Sequence, residues 1–426
     1  MAFDTYAKGG LPPETYQKKF SDKDLTKEFD YDELWKELFH SEESPLPQVL
    51  TKAHRIVVVD ADAIVYRISA ACEKRSVVAT VRGKEVTFKT KTKLKEYCQK
   101  IGEEFEGLEF EGLEFENVVK VEPVENAFET LRKTVAKIYR ELNATHVIFF
   151  LGGSYNFRTD LKLPTKYKSN RKTTRRPDHL QACREFLNEH YDTFLVSGIE
   201  ADDCVQGVTE YIINRKQAYA CAYQLDKDFH TSMTKNRYWH IDKKQIIELD
   251  GGIGSLQRAS SGVRGDGLHW VLFQLMQGDS SDGYSPKTLY RDGYKGKYGE
   301  VSYFNDFVGF DDGVELLINW VNKWEEVLPE NIEFEDFNGE VQKHNWLSLA
   351  EIYFQCLYMR MSPVDDMTFE KLLQNYGLFV DKETGYLEQH DLPEVEEGLI
   401  EVVDEVFEDD LEVVTNSDIG EDGWGW

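Results

Sequence analysis

The feature that most constrains the fold is a series of short apolar runs, each followed by a segment with helical spacing. Residues 55–59 (RIVVV) and 146–151 (HVIFFL) are almost entirely apolar, with many β-branched or aromatic side chains, which is typical of strands buried on both faces. Residues 193–196 and 218–224 continue the series. Strands that alternate with helices build a parallel sheet covered on both sides. We therefore predict an α/β fold with a central, mostly parallel twisted sheet between helices.

Composition argues against several classes of protein. The chain has no run of about 18 apolar residues, as a membrane span would need, and residues 1–20 lack the basic start and apolar core of a secretion signal. We therefore expect no membrane partner. The six cysteines are scattered, without the close pairs of a zinc site or a disulfide framework. They are expected to be reduced thiols in a cytoplasm.

The charge is distributed unevenly along the chain. A net charge of -28 argues at first against a polyanion as partner, but residues 383–426 contain no Lys or Arg and many Asp and Glu. Residues 158–176, by contrast, are strongly basic and contain Asp160 as their one acid. Clustered cations contact phosphates, so this stretch is the candidate nucleic-acid contact. Its cations are Arg158, Lys162, Lys166, Lys168, Arg171, Lys172, Arg175 and Arg176.

Acidic residues recur where the predicted strands end. Because the carboxyl ends of parallel strands meet at one edge of a sheet, we expect these side chains to converge. Converging carboxylates repel one another and need a shared cation. Oxygen ligands without nearby His or Cys favour Mg²⁺ or Mn²⁺ over zinc, and two such ions can activate a water and stabilise the leaving oxygen of a phosphodiester. The acids are Asp60, Asp62, Glu200, Asp202, Asp203, Asp226, Asp228, Asp279 and Asp282.

Each acidic group also has an ordinary structural explanation. Asp60 can cap the helix that follows it, and Asp202 and Asp203 can complement the dipole of the helix that they open. The segment GDSSDG at 278–283 is compatible with a simple turn. The order of the groups and their shared place at strand ends favour the metal-binding interpretation.

The chain divides into four predicted segments. These are an N-terminal extension (1–52), an α/β core (53–255), a helical lobe (256–382) and an acidic tail (383–426). The core carries an insertion at 76–125, with a hairpin around Gly83 and a tandem repeat, EFEGLEFEGLEFE.

Several blocks of the sequence, in their order, resemble the 5′ nuclease superfamily of flap endonucleases and 5′→3′ exonucleases, and most of all its short phage-encoded exonucleases. The blocks are VVDADAIVY (58–66), NFR (156–158), PTKYKSNRK (164–172), GIEADD (198–203), LDKDF (225–229) and LFQLMQGDSSDGYS (272–285). They extend over more than half of the chain. The resemblance implies a PIN-like core, a basic arch near the 5′ end and a helical element that grips the duplex.

The resemblance also implies two Mg²⁺ ions, for which Mn²⁺ can substitute. Asp60 and Asp202 would hold the first ion, with Glu200 reaching it directly or through water and Asp203 as an outer partner. The second ion would be served by the later acids, and Asp202 can bridge the two. Those later acids are Asp226, Asp228, Asp279 and Asp282.

Contacts with DNA are implied around the basic stretch. Lys168 matches the arch lysine of the family, and its ammonium would orient the scissile phosphate and offset developing charge. The neighbouring cations would follow the phosphate backbone without reading sequence, and Tyr167 would stack on an unpaired base or pack ordinarily. A solvated basic loop is the structural alternative. The predicted contacts are Arg158, Lys166, Tyr167, Lys168, Arg171, Lys172, Arg175 and Arg176.

Two departures from the family pattern bear on these roles. Gly153 occupies the place of an expected metal-ligating aspartate, for which Asp62 and Asp160 are candidate substitutes. After residue 286, the expected glycine-rich hairpin is replaced by KTLYRDGYKGKYGE (287–300), whose basic and tyrosine side chains suit backbone contact.

We therefore expect a phage exonuclease, acting in the host cytoplasm in replication or recombination, on 5′ ends of duplex, nicked, gapped or flapped DNA and on RNA primers in hybrids. A structure-specific flap endonuclease and an RNA-cutting relative are the alternatives among enzymes. A catalytically weakened protein that binds DNA junctions is the alternative outside them, motivated by Gly153. The tail at 383–426 is expected to be a disordered solubilising segment, to dock on a replication protein, or to shield the DNA channel.

Overall fold

The computed structural model describes residues 26–81, 83–104, 113–173, 175–224, 227–260, 262–381 and 384–390, with the backbone alone at 102–104, 172, 173 and 227. By its internal contacts the chain divides into two units, Met1–Phe369 and Glu370–Trp426. The described strands are β1 (Glu28–Phe29), β2 (Arg55–Asp60), β3 (Glu73–Val81), β4 (Lys84–Phe88), β5 (Phe115–Val121), β6 (His146–Asn156), β7 (Thr193–Gly198), β8 (Tyr219–Gln224), β9 (Asn236–His240), β10 (Gln245–Leu249), β11 (Ser255–Ala259), β12 (Gly262–Asp266), β13 (Ile332–Glu335), β14 (Val341–His344), β15 (Leu378–Val380) and β16 (Leu387–Gln389).

The described α-helices are α1 (Tyr31–Phe39), α2 (Ala61–Ala71), α3 (Lys91–Glu104), α4 (Val124–Leu142), α5 (Leu180–His190), α6 (Ala201–Asn214), α7 (Gly267–Gln277), α8 (Glu300–Phe307), α9 (Gly313–Val327), α10 (Trp346–Leu357) and α11 (Phe369–Asn375). Short 3₁₀ helices occupy Phe157–Asp160, Ser169–Thr173, Lys227–Thr231 and Pro286–Leu289. No helix in these ranges is both long and apolar enough to cross a membrane.

A seven-stranded sheet organises the first unit. Its order is β1-β7-β6-β2-β8-β9-β10, and every neighbouring pair is parallel except β9 with β10. The predicted mostly parallel α/β sheet is therefore confirmed. The N-terminal extension contributes β1, which pairs with β7 at the edge of the sheet.

Helices cover both faces of this sheet because successive side chains of its strands point to opposite sides. On β2, Val57 and Val59 pack in one buried cluster with residues of α2, α4 and α5. Ile56 and Val58 pack in a second cluster with residues of α1 and α6. A strand buried on both faces must be apolar at every position, which is the physical reason for the RIVVV run.

The insertion forms a separate antiparallel sheet, in the order β4-β3-β5. The predicted hairpin is present as the β3–β4 pair, and α3 buries Leu94 and Cys98 against it. At the base of this sheet, Glu73 accepts hydrogen bonds from Arg175 and from the backbone N–H of Asp178. Most of the tandem repeat lies outside the described residues.

The lobe that follows the sheet is built from α7 to α10, around large aromatic side chains. Trp320 and Trp324, one turn apart on α9, are both 0% exposed and stack on each other. Each indole N–H donates to a carbonyl oxygen, of Leu272 and Trp346 respectively, so these buried donors are satisfied.

In the second unit, β15 and β16 form an antiparallel hairpin.

Candidate metal centre

The carboxyl edge of the central sheet collects acidic residues from three loops. β2 pairs in parallel with both β6 and β8, so these strands end at the same edge. Asp60 ends β2, Glu200 lies between β7 and α6, and Asp228 lies in the 3₁₀ helix after β8. The topology therefore places residues that are far apart in sequence at one edge.

Glu200, Asp202 and Asp203 form an acidic group at the start of α6. One carboxylate oxygen from each lies within 4.8 Å of the others. Glu200 and Asp203 cap the helix reciprocally, and the Glu200 backbone N–H donates to Asp203 Oδ2 at 3.1 Å. Acidic side chains in a first turn also complement the helix dipole. Local helix chemistry thus brings these carboxylates together.

Arg158 neutralises part of this group from a fully buried position. Its guanidinium donates to both oxygens of Asp203, at 2.6 and 2.7 Å, and to Glu200 Oε2 at 3.4 Å. It also donates to the carbonyl oxygens of Gln355 and Tyr358. We call this arrangement of Arg158, Asp203 and the two carbonyls the arginine clamp. Because all five guanidinium N–H groups are used inside the protein, the predicted DNA contact of Arg158 does not fit its position.

Asp203 is likewise engaged within the protein. It is 0% exposed, and its oxygens accept from Arg158, from the Glu200 backbone and from the backbone N–H of Arg360 at 3.1 Å. A carboxylate with these donors has little capacity left to bind an ion directly. Its position suits the outer partner expected from the resemblance.

Tyr167 and Lys168 join the acidic group to Asp282. The Tyr167 hydroxyl lies 3.0 Å from Glu200 Oε2 and 2.7 Å from Asp282 Oδ2. The Lys168 ammonium forms an ion pair with Glu200 and lies 3.7 Å from Asp282 Oδ1. Tyr167 is 3% exposed, so it packs within the protein, and stacking on an unpaired base does not fit its position. The two residues set the spacing of carboxylates from different loops.

Negative charge exceeds positive charge around Asp202. Burial opposes ionisation of Glu200, but Arg158 and Lys168 hold the pKa of that carboxyl below its ordinary value. Burial and the charge of Glu200, by contrast, raise the pKa of Asp202 well above its ordinary value despite Lys168, and Asp203 and Asp60 add to that effect. We call Glu200 and Asp202, which approach within 4.8 Å, together with Asp60, whose charge acts on Asp202, the carboxylate pocket. Its oxygen ligands and excess negative charge fit Mg²⁺ or Mn²⁺.

A second acidic group surrounds Tyr284. Burial raises the pKa of the Tyr284 hydroxyl well above its ordinary value, and the charges of Cys356, Asp228, Asp279 and Asp282 add to that shift. Asp228 accepts from Gln274 Nε2 at 2.7 Å, and Asp279 accepts from the backbone N–H of Ser281 at 2.7 Å. Among the described residues, however, only Glu200, Asp202 and Asp203 bring three carboxylate oxygens within 4.8 Å of one another, so the predicted second-ion ligands Asp228, Asp279 and Asp282 do not form such a group. Asp226, the fourth, lies outside the described residues.

The other predicted DNA contacts lie between β6 and α5. Arg171 is 55% exposed and donates to Asp282 Oδ1 at 2.7 Å, and Arg175 forms ion pairs with Glu73 and Asp178. Arg176 is exposed, and the Lys166 ammonium lies 5.3 Å from the centre of the Phe337 ring. The side chain of Lys172 lies outside the described residues. Arg171, Arg175 and Arg176 are thus exposed to solvent, and the first two form ion pairs with carboxylates.

The surroundings of Gly153 explain the missing aspartate and reveal a residue that sequence reasoning overlooked. A Cβ at Gly153 would lie 2.6 Å from the carbonyl oxygen of Val196 and 2.8 Å from the carboxylate of Glu28. Glu28, on β1, accepts from the backbone N–H and the hydroxyl of Ser154 at 2.8 and 2.7 Å. A side chain at Gly153 would therefore require the backbone of β7 at Val196 to shift and the Glu28 side chain to move. The signal for Glu28 was weak, because an isolated two-residue strand has no periodicity.

The two candidate substitutes for that aspartate have other partners. Asp62 accepts from the backbone N–H of Gly152 at 2.7 Å and forms an ion pair with Arg184. Asp160 accepts from the Tyr155 hydroxyl at 2.6 Å. Both carboxylates therefore already support the chain around the end of β6.

Comparisons with known proteins give structural matches only. No protein-family model and no curated protein match the chain. The bacteriophage T5 5′-exonuclease with bound zinc ions is 15% identical, covers 71% of this chain and 88% of its own, and has a TM-score of 0.36. A bacteriophage T5 flap endonuclease in a pseudo-enzyme-product complex with DNA and metal ions is 14% identical, covers 64% and 86%, and has a TM-score of 0.30. The strand order and pairing define the fold as a mostly parallel α/β sheet. Acidic residues lie at the carboxyl edge of this sheet.

Proposed function

We propose that this chain is a divalent-metal-dependent 5′ nuclease of the flap endonuclease and 5′→3′ exonuclease superfamily, and that it hydrolyses phosphodiester bonds from 5′ ends of duplex DNA. One observation carries the proposal: the carboxylate pocket lies at the carboxyl edge of a parallel sheet, with Lys168 inserted into it. The order of the sequence blocks supports the same assignment. RNA primers in hybrids belong to the same substrate class, because the phosphodiester is the group attacked.

The two acidic groups would hold two ions. Asp60 and Asp202 would bind the first, with Glu200 beside them, and Asp228, Asp279 and Asp282 would bind the second together with Asp226. When bound, Mg²⁺ or Mn²⁺ supplies an activated water and stabilises the leaving oxygen. The Tyr167 hydroxyl keeps Glu200 and Asp282 at a fixed spacing, which preserves the geometry of the site.

Lys168 acts on the phosphate. Its ammonium lies among Glu200, Asp202 and Asp282, where the scissile phosphate must approach the carboxylates. A fixed cation there orients the phosphate and offsets the charge that develops during attack. The exposed Arg171, Arg175 and Arg176, with Lys166 and Lys172, would hold the adjoining phosphates without reading sequence.

The test is cleavage of a 5′-labelled duplex with Mg²⁺ or Mn²⁺ by the full-length protein. We expect stepwise release of nucleotides or short oligonucleotides, strongly reduced in Asp202→Asn and retained in the control Asp242→Asn, whose side chain is 68% exposed. A gel shift without cleavage at any concentration of either ion would overturn the proposal in favour of a DNA-junction binding protein.

The same assay separates the finer alternatives. A substrate with a 5′ single-stranded flap, cut once at the junction, would identify a flap endonuclease, and a matched single-stranded RNA tests the RNA-cutting alternative. We propose the exonuclease as the main activity, in a phage-encoded protein of the host cytoplasm.

We further propose that the acidic tail (383–426) contacts a basic protein of the replication machinery. Residues 391–426 of this tail lie outside the described residues, and the proposal rests on the tail's lack of Lys and Arg. A chain ending at residue 389 should lose binding to that partner in a pull-down. Unchanged pull-down together with unchanged salt dependence of DNA binding would contradict it.

A further inference from the structure

A deep cleft lies beside Asp228, outside the carboxylate pocket. Its volume is about 800 Å³, and it lies between α7, the β11–β12 hairpin and the ends of β8 and β9. Cavities of several hundred Å³ are the size that binds small organic ligands. The cleft is therefore large enough for one nucleotide.

Three glutamines line this cleft, and all are almost fully buried. Gln224, Gln274 and Gln277 are 2%, 1% and 5% exposed. The Gln277 amide has no hydrogen-bond partner among the described residues for either its nitrogen or its oxygen, and the same holds for Gln224 Nε2 and Gln274 Oε1. A buried amide without a hydrogen-bond partner destabilises the protein, because it has lost its hydrogen bonds with water. Three such groups at one cavity point to a ligand with both donors and acceptors.

Gln274 connects the cleft to the acidic residues. Its Nε2 donates to Asp228 Oδ1 at 2.7 Å, and its Oε1 has no hydrogen-bond partner among the described residues. A group bound against the glutamines therefore lies next to the proposed second ion. This proximity suits a part of the nucleic-acid strand that is being cut.

Cations at the cleft suit a phosphate. Lys287 is half-buried, and its ammonium forms no ion pair with a described residue. Burial lowers the pKa of this ammonium, although the charge of Glu300 opposes the shift. Lys243 and Arg264 are exposed and also line the cleft. A half-buried ammonium without a close carboxylate is stabilised by a bound anion.

The remaining walls of the cleft suit a base. Trp270 and Phe273 stack with their ring centres 4.9 Å apart and form part of the lining. Two acids also line it, but both are engaged: Asp266 accepts from the Ser255 N–H at 2.7 Å, and Glu300 accepts from the Val263 N–H at 3.1 Å. Apolar ring surface, amide groups and a cation together match the chemistry of a nucleotide.

We propose that this cleft binds one nucleotide of the substrate strand, with the base edge against Gln224 and Gln277 and a phosphate at Lys287. The inference rests on the proposed function and adds a subsite to it. Glutamine amides can form paired hydrogen bonds with a base edge, so the cleft also makes binding depend on the base.

The experiment measures binding without cleavage. The four deoxynucleoside 5′-monophosphates and the base-free 2-deoxyribose 5-phosphate are titrated into the full-length protein by calorimetry. At least one monophosphate should bind saturably, about tenfold more tightly than the sugar phosphate, since a good paired contact to a base contributes about 1–3 kcal/mol. Absence of saturable binding by all four, or equal affinity for the base-free sugar, would overturn the proposal.

Variants assign the binding to the cleft. Gln277→Leu should weaken the monophosphate about tenfold and leave the sugar phosphate unchanged, whereas Lys287→Met should weaken both. The matched control is Gln206→Leu, since Gln206 is 1% exposed on α6 and its Oε1 also has no partner among the described residues. Unaltered affinity in Gln277→Leu would overturn the assignment.

Two further measurements keep the outcomes distinct. Replacing an unpaired buried amide with an apolar side chain of similar size is neutral or stabilising, so thermal denaturation should show a folded Gln277→Leu; if it does not, Gln224→Met replaces it. If monophosphates bind but no duplex is cut, the proposed nuclease function is wrong and nucleotide binding by the cleft is supported. If the duplex is cut but no monophosphate binds, the cleft alone fails.

Discussion

Asp202 and Asp203 are adjacent in sequence, yet they belong to two regions with opposite electrostatics. In the arginine clamp, Asp203 is fully buried and meets a guanidinium through two short hydrogen bonds. In the carboxylate pocket, Asp202 meets mainly other acids, and burial together with Glu200 raises its pKa. Removing one partner of a buried ion pair leaves an uncompensated charge and destabilises the fold, whereas a buried carboxylate without a matching counterion favours a bound cation.

The clamp also explains why the acidic group holds together. Arg158 and the backbone of Arg360 reach Asp203 from different parts of the chain. The first turn of α6 is thereby fixed to the segment after α10. A rigid support of this kind keeps metal-ligating side chains in position.

The largest expected effect comes from breaking the clamp. Arg158→Met should lower the free energy of unfolding by about 3–5 kcal/mol, because it leaves a buried carboxylate without its cation. Urea denaturation measures the change. The control Arg67→Met removes an arginine that is 53% exposed, in a surface ion pair, and should cost at most about 1 kcal/mol. Similar losses of unfolding free energy in both variants would show that the arginine clamp stabilises the protein no more than a surface ion pair.

The second prediction separates the two neighbouring aspartates. Asp202→Asn should lower nuclease activity about a hundredfold to a thousandfold without lowering stability, because it removes a repelled charge. Asp203→Asn should instead lower stability, since it leaves Arg158 without its carboxylate. Cleavage of the labelled duplex and urea denaturation, made on both variants, test the pair. A loss of stability in Asp202→Asn would contradict the contrast.

Glu210 is a further buried carboxyl to compare with Asp202 and Asp203. Among the described residues, no cation contacts it. Burial raises the pKa of Glu210 from its ordinary 4.5 to about 7, although a hydrogen bond from Thr234 opposes the shift. The unfolded chain therefore loses this proton first as pH rises, and folding stability falls between these two values. Above the pKa of Glu210 in the folded protein, the loss of folding stability reaches its full value of about 3 kcal/mol at most.

Glu210→Gln should remove that pH dependence. The variant should exceed the wild-type protein in stability at about pH 8, and the difference should shrink towards about pH 5. Urea denaturation at both pH values gives the comparison. A constant difference between the two proteins would show that Glu210 does not titrate in this way.

The smallest expected effect is on DNA binding by the exposed cations. Arg176 is exposed, whereas Arg158 is fully buried. Arg176→Gln should reduce the slope of log affinity for duplex DNA against log salt by about 0.9, the value for one lost phosphate contact. Binding is measured by fluorescence anisotropy over a series of salt concentrations. Lys216→Gln, at the far end of α6 from the carboxylates, should leave the slope unchanged. Equal slopes in all three proteins would place the DNA elsewhere.

The sequence predicted the sheet well because buried parallel strands impose a strong pattern. The runs that contain Val57 and Phe149 became β2 and β6, and the helices between them followed. The acids after those strands could be placed at one edge because topology alone brings strand ends together. Periodicity and topology thus sufficed for the fold and for the candidate position of Asp60 and Glu200.

Contacts between distant segments could not be predicted in the same way. Arg158 lies in a basic stretch, and nothing in its sequence neighbours shows that its guanidinium turns inward to Asp203. Glu28 approaches Gly153 only because β1 joins the sheet edge. The burial of the three glutamines could not be predicted from the sequence either, because a glutamine such as Gln277 is usually exposed.

Binding of Mn²⁺ to the full-length protein, followed by electron paramagnetic resonance, tests the central claim most directly. We predict two bound ions in the wild-type protein and weakened binding in Asp202→Asn, with Asp242→Asn unchanged. If Mn²⁺ does not bind, or binds equally well to the wild-type protein and to Asp202→Asn, the carboxylate pocket is not a metal centre.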